Sequence, residues 1–215
     1  GRAVSMTRSG QKLTIGIPSP AIRIPSLPMG RIQGNVALEG RQVYNKLVTL
    51  ELRPSGSLIA TSDSAFRASN DQNSAIPGVN IETDVDGAFE LTQVPTGTYD
   101  LVAKTTNYLA GRYASVTVVP GDLVTGIDPT RNADVTPTDY DQLRGGDVSS
   151  RDTTGIQDNA VTLEDIIFLQ NKFNQDTVTV GLRDLGDIDG TGLIDLSDLL
   201  IAGRNYGEEG VPPVY

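Results

Sequence analysis

The densest run of oxygen-bearing side chains reads Asp187-Ile188-Asp189-Gly190-Thr191-Gly192-Leu193-Ile194-Asp195-Leu196-Ser197-Asp198. Alternate residues of a tight loop point toward its middle. Asp187, Asp189, Thr191, the Leu193 carbonyl, Asp195 and Asp198 therefore fall at the six ligand positions of a twelve-residue calcium loop. Gly192 stands where such a loop turns most sharply. Thr191 is a weaker ligand than Asp, and Asp198 is shorter than the usual Glu, so both lower the expected affinity.

A second, longer copy lies upstream. Asp147 takes its first position, and Asp158, Ala160, Thr162 and Asp165 take the fifth, seventh, ninth and twelfth. An insertion between Asp147 and Asp158 leaves the third position open to Ser149, Asp152 or Gln157. Ser149 is carried as the candidate. Asn159 falls at the glycine position, which Asn tolerates because it accepts left-handed backbone angles. Two Ca2+ sites are expected, the second loop being the closer match.

Each loop must be held by a helix. Residues 162–173 and 196–206 show helical periodicity, and Thr162 with Asp165 forms a capping pattern. Aligning Asp165 with Asp198 pairs Leu163 with Leu196, Ile166 with Leu199, Ile167 with Leu200 and Phe173 with Tyr206. The unit is an internal duplication. Its apolar residues are expected on one broad face of each helix.

Composition narrows the rest. The chain has 215 residues and no Cys, His or Trp. That excludes disulfides, thiolate or imidazole metal sites, a cysteine nucleophile and a histidine general base. The net charge of −10 is unevenly spread. Residues 1–140 carry 12 basic and 13 acidic side chains, against 5 and 14 in residues 141–215. An acidic chain binds nucleic acid poorly, so no nucleic-acid partner is expected. No apolar run is long enough for membrane insertion. Carboxylate-only catalysis is compatible with the composition, but most acids of the acidic half belong to the loop pattern. Glu39, Glu51, Glu82 and Glu90 read as solvent-facing, and no cleft pattern is visible. The chain is expected not to be an enzyme.

Upstream of the loops, residues 31–120 alternate as short strands at 32–38, 47–52, 79–83, 88–91, 98–103 and 115–119. Asp86-Gly87 and Pro95-Thr96-Gly97 supply turns. Residues 54–77 read as a surface excursion with a helical turn near 64–67. The expected fold is α+β with two domains, an all-β sandwich (Ig/prealbumin-like) followed by a small α-helical calcium domain. The expected organisation is an extended arm at 1–30, the sandwich at 31–120, a linker at 121–144, the calcium domain at 145–207 and a tail at 208–215.

The duplicated loop–helix unit with Asp at its twelfth position resembles a dockerin over residues 145–207. The run from Thr83 to Leu91, then Val94 to Leu101, then Asn107-Tyr108-Leu109, resembles a carboxypeptidase regulatory-like sandwich and the X module found beside some dockerins. The resemblance implies a non-catalytic, calcium-folded, extracellular or cell-surface assembly module with a cohesin-like protein partner. It places recognition at Leu163 and Glu164 in one copy and at Leu196 and Ser197 in the other. Tyr99 reads as a core residue, not a sugar platform.

An alternative rests on the first residues. Gly1-Arg2-Ala3-Val4-Ser5-Met6-Thr7 is similar to Gly111-Arg112-Tyr113-Ala114-Ser115-Val116-Thr117. Residues 1–17 thus look like the last strand of a sandwich. A basic arm adding that strand to the next molecule would make the partner a copy of the chain itself, joined head to tail into a filament.

Overall fold

The computed structural model describes residues 29–56, 79–129, 142–149, 157–177 and 184–211. Expectations for residues 1–28, for 57–78 with their helical turn, for Asp152 and for 212–215 lie outside the described residues.

Eight strands build the first part: β1 (Met29–Asn35), β2 (Leu47–Pro54), β3 (Val79–Glu82), β4 (Ala88–Pro95), β5 (Gly97–Lys104), β6 (Asn107–Tyr108), β7 (Gly111–Val118) and β8 (Leu123–Ile127). They are followed by β9 (Gly145–Asp147), α1 (Leu163–Lys172) and α2 (Leu196–Arg204). Strands β4-β1-β8 form one sheet and β3-β2-β5-β7 another, while β6 pairs with β9. All pairings are antiparallel except β1 with β8.

Alternation in β1 buries Ile32 and Gly34 and exposes Arg31 and Asn35. Period-two strands put one side-chain set inward in this way. Ile32 and Leu91 from one sheet and Val48, Leu50, Leu101 and Val116 from the other fill the sandwich. Gly34 permits the close approach of β1 to β8. A Cβ there would lie 1.9 Å from the Ile127 carbonyl oxygen. Tyr99 is half-buried against the core and donates its hydroxyl hydrogen to the Pro95 carbonyl at 3.1 Å.

Several expectations are corrected. Residues 121–144 are not simply a linker. Leu123–Ile127 form β8, and Leu143 bridges to Leu38. The described part of the tail is likewise paired: Val161 N–H donates to the Glu208 carbonyl at 2.9 Å and Val211 N–H to the Ala110 carbonyl at 3.0 Å. Glu39 and Glu51 do not face solvent. Both are buried, and Glu51 pairs with the buried Arg53 at 2.9 Å. A buried polar group costs free energy unless partnered, so these two acids are structural.

One continuous apolar core runs from Ile32, Leu50 and Leu101 through Tyr108 and Leu143 to Ile188, Ile194 and Ile201. The sandwich and the helical part therefore share packing, as well as hydrogen bonds. Arg41 carries much of this junction. Its Nε donates to the Ile188 carbonyl at 3.0 Å, and one terminal nitrogen donates to the Asp187 carbonyl at 3.0 Å and to Asp184 at 2.8 Å. Glu39 accepts from Asn205 at 2.5 Å, from the Gly145 N–H at 3.0 Å and from Arg204. Tyr108 donates to the Ile188 carbonyl.

Candidate calcium loops

Both helices open on capping boxes. Thr162 caps α1 and Asp195 caps α2, and Asp165 and Asp198 reach back to the cap backbones. A good cap contributes about 1 kcal/mol, and here it also fixes the residue at the last candidate ligand position of each loop.

The twelfth-position aspartates fold their loops identically. Asp198 Oδ1 accepts from Ile188 N–H at 2.6 Å and Asp189 N–H at 3.2 Å, while Oδ2 accepts from Asp195 N–H at 2.8 Å. Asp165 Oδ1 accepts from Val148 N–H and Ser149 N–H, both at 2.8 Å, while Oδ2 accepts from Thr162 N–H at 2.7 Å. Ser149 thus stands where Asp189 stands. Asn159 has φ +62°, matching Gly192 at φ +88° in the other copy.

The copies also exchange chain. The segment leaving α1 pairs with the second loop, where Asn174 N–H donates to the Ile194 carbonyl at 2.7 Å and Ile194 N–H to the Gln175 carbonyl at 3.0 Å. The segment leaving α2 pairs with the first loop, where Val161 N–H donates to Glu208 and Gly207 N–H to the Val161 carbonyl at 2.8 Å. This reciprocal pairing was not visible in the sequence, because short bridges carry no periodicity.

The interiors of the loops differ. Among the described residues, carboxylate oxygens of Asp187, Asp189 and Asp198 all lie within 4.8 Å of one another. Asp187 Oδ2 accepts from Gly192 N–H at 2.9 Å, and its Oδ1 is buried without a hydrogen-bond partner. Burial raises the Asp187 pKa and pushes that of Asp198 up to about 6, with the Asp189 charge adding to it. Three crowded carboxylates and an orphaned buried oxygen fit a hard divalent cation. Thr191 and Leu193 lie beside them: the Thr191 hydroxyl is 3.4 Å from the Leu193 carbonyl.

The first loop does not gather its acids in this way. Asp147, Asp158 and Asp165 form no such group among the described residues. Asp158 accepts from the Ala160 N–H of its own turn at 3.2 Å. Asp147 Oδ2 accepts instead from the Lys104 ammonium at 2.7 Å. Burial pushes the Asp147 pKa up to about 6 against the opposing pull of Lys104. Lys104 was not foreseen, since a lone lysine at a strand end carries no pattern.

The two helices divide their apolar residues between core and solvent. Leu163, Ile167, Phe173, Leu196, Leu200 and Tyr206 do not face the core. Leu163, Leu196 and Leu200 remain 58%, 57% and 63% exposed, with Glu164 and Ser197 exposed beside them. Leu169, Ile201 and Ala202 supply the buried contacts, with Ile166 and Leu199 half-buried. Equivalent apolar residues of the two copies are thus exposed on both helices.

No family model matches the chain, and no curated protein matches it. Solved structures do. A chain of a C-terminal interface mutant of the type II cohesin–X-dockerin complex from Acetivibrio cellulolyticus matches with TM-score 0.56 and 20% identity, over 84% of this chain and 97% of that one. A chain of the N-terminal interface mutant of the same complex matches with TM-score 0.53, at the same identity and coverage. This chain has the fold of those chains, a β-sandwich continued into a short helical part.

Proposed function

We propose that the chain is a non-catalytic, extracellular assembly module that docks onto a cohesin-like protein through its two helices. The repeated exposure of apolar residues on both helices carries this reading. Leu163 and Ile167 on α1, and Leu196 and Leu200 on α2, occupy equivalent positions of a repeated unit yet face solvent. Contiguous exposed apolar residues with a polar rim mark interaction surfaces. Glu164 and Ser197 provide that rim. The fold shared with chains of a cohesin–X-dockerin complex supports the same partner class.

Calcium belongs to this reading as a structural ion. Asp187, Asp189, Thr191, the Leu193 carbonyl, Asp195 and Asp198 are the residues to hold it in the second loop. Bound there, it would relieve the repulsion among three carboxylates and fasten the start of α2. The sandwich supports the pair of helices through Arg41 and Glu39.

Calorimetric titration with a type II cohesin tests the reading. Binding is expected in calcium, and Leu163→Asp with Leu196→Asp should weaken it at least a hundredfold. The same substitutions should change folding stability by less than about 0.5 kcal/mol, as exposed sites do. Full affinity in that variant, or no binding by the wild type, would overturn the assignment. Light scattering of the chain alone separates the filament alternative, which requires large particles without any partner.

A further inference from the structure

The first loop and strand β5 meet at one buried ammonium. Lys104 ends β5, and its side chain is 8% exposed while that of Asp147 is fully buried. Four oxygens surround its Nζ: Asp147 Oδ2 at 2.7 Å, Gln157 Oε1 at 3.3 Å, the Thr105 carbonyl at 3.3 Å and the Tyr108 carbonyl. A carboxylate, an amide oxygen and two backbone carbonyls are the ligand types of a hard cation site. Here they surround the protein's own cation. Asp147 is the first residue of its loop, the counterpart of Asp187, and each keeps a buried Oδ1 without a hydrogen-bond partner among the described residues, but only Asp147 gives its Oδ2 to a lysine ammonium.

We infer that the Lys104 ammonium is the resident cation of the first loop, so that the chain binds one calcium ion and not two. The remaining chemistry of the loop agrees. Ser149 replaces the carboxylate that Asp189 supplies in the second copy, so the first loop offers less charge to a divalent ion. The positive end of Lys104 would stand against any calcium approaching Asp147, at a separation where like charges repel strongly in a buried setting. A sandwich residue thereby completes the helical unit, giving the two parts a joint requirement for folding. Asp147 Oδ1 is buried without a hydrogen-bond partner among the described residues, and it is the atom through which a second calcium would have to enter.

This inference rests on calcium binding by the second loop for its total, but not for its test. Native mass spectrometry of the full chain in calcium counts the ions for wild type, Lys104→Met and Asp165→Asn. The expected result is that Lys104→Met holds one ion more than wild type. Asp165→Asn should hold the same number as wild type, which keeps the test valid even where Lys104→Met folds poorly. Two ions on the wild type, no increment in folded Lys104→Met, or loss of an ion in Asp165→Asn would each overturn the inference. A wild type that binds no calcium would instead overturn the second-loop reading, while the increment in Lys104→Met still decides the role of the lysine.

Discussion

Asp165 and Asp198 do the same work in the two halves of the repeat, each accepting backbone N–H groups from the second and third residues of its loop and from its helix cap. Asp147 and Asp187 do not. The sandwich sends cationic side chains toward both loops, and the difference lies in where they stop. At the second loop, Arg41 and Lys46 pair with Asp184, at 2.8 and 2.7 Å. Asp184 precedes the loop, so the carboxylates of Asp187, Asp189 and Asp198 stay available. At the first loop no acid among the described residues intervenes, and Lys104 reaches the loop's own Asp147 at 2.7 Å. Identical frames thus acquire different interiors from one neighbouring sheet. A duplicated motif fixes backbone geometry more tightly than it fixes the side chains that meet inside it.

The largest expected effect breaks the frame in each copy. Asp198→Ala and Asp165→Ala each strip three N–H groups of their acceptor. One of the three donors in each loop is buried and two are part-buried, and an unpaired buried donor costs about 1–3 kcal/mol, so both variants should lose about 2–3 kcal/mol in chelator. In calcium the two should separate. Asp198→Ala should lose roughly 2.7 kcal/mol more, at a free concentration a hundredfold above the wild-type dissociation constant. Urea denaturation in both conditions measures this. Equal losses in calcium would erase the distinction between the loops.

A smaller effect sharpens the comparison at Asp184. Burial holds the Lys46 pKa down at about 8, below its usual 10.5, although Asp184 pulls it up. The unfolded chain therefore holds more protons than the folded one between those values, and stability should rise with pH across that window. Below it the charged, desolvated lysine weighs fully against the fold. Lys46→Met should remove this contribution, seen as a flatter stability profile from pH 8 to 10.5 by denaturant titration. An unchanged slope would mean that Lys46 is well solvated.

What the sequence revealed follows from what repeats and what alternates. Period-two runs located most of the sandwich strands, helical periodicity located both helices, and the Thr162/Asp165 pattern located the cap of the first. Strand β8 was missed because Gly121, Gly126 and Pro129 punctuate its surroundings like a linker. The alignment paired Leu163 with Leu196 and Ile167 with Leu200 but did not say which side of each helix is covered, because helical periodicity finds a face without saying what covers it. Glu39, Arg41, Lys104 and Tyr108 were invisible as site residues. Each acts through a contact with residues far along the chain, and no local pattern encodes such a contact.

Calcium is proposed to hold the second loop. Thermal unfolding of the full chain, followed by circular dichroism in calcium and then in chelator and repeated on Asp187→Ala with Asp198→Ala, tests this. A calcium-dependent rise in Tm is expected for the wild type and none for the double variant. An equal rise in both proteins, or no rise in either, would contradict it.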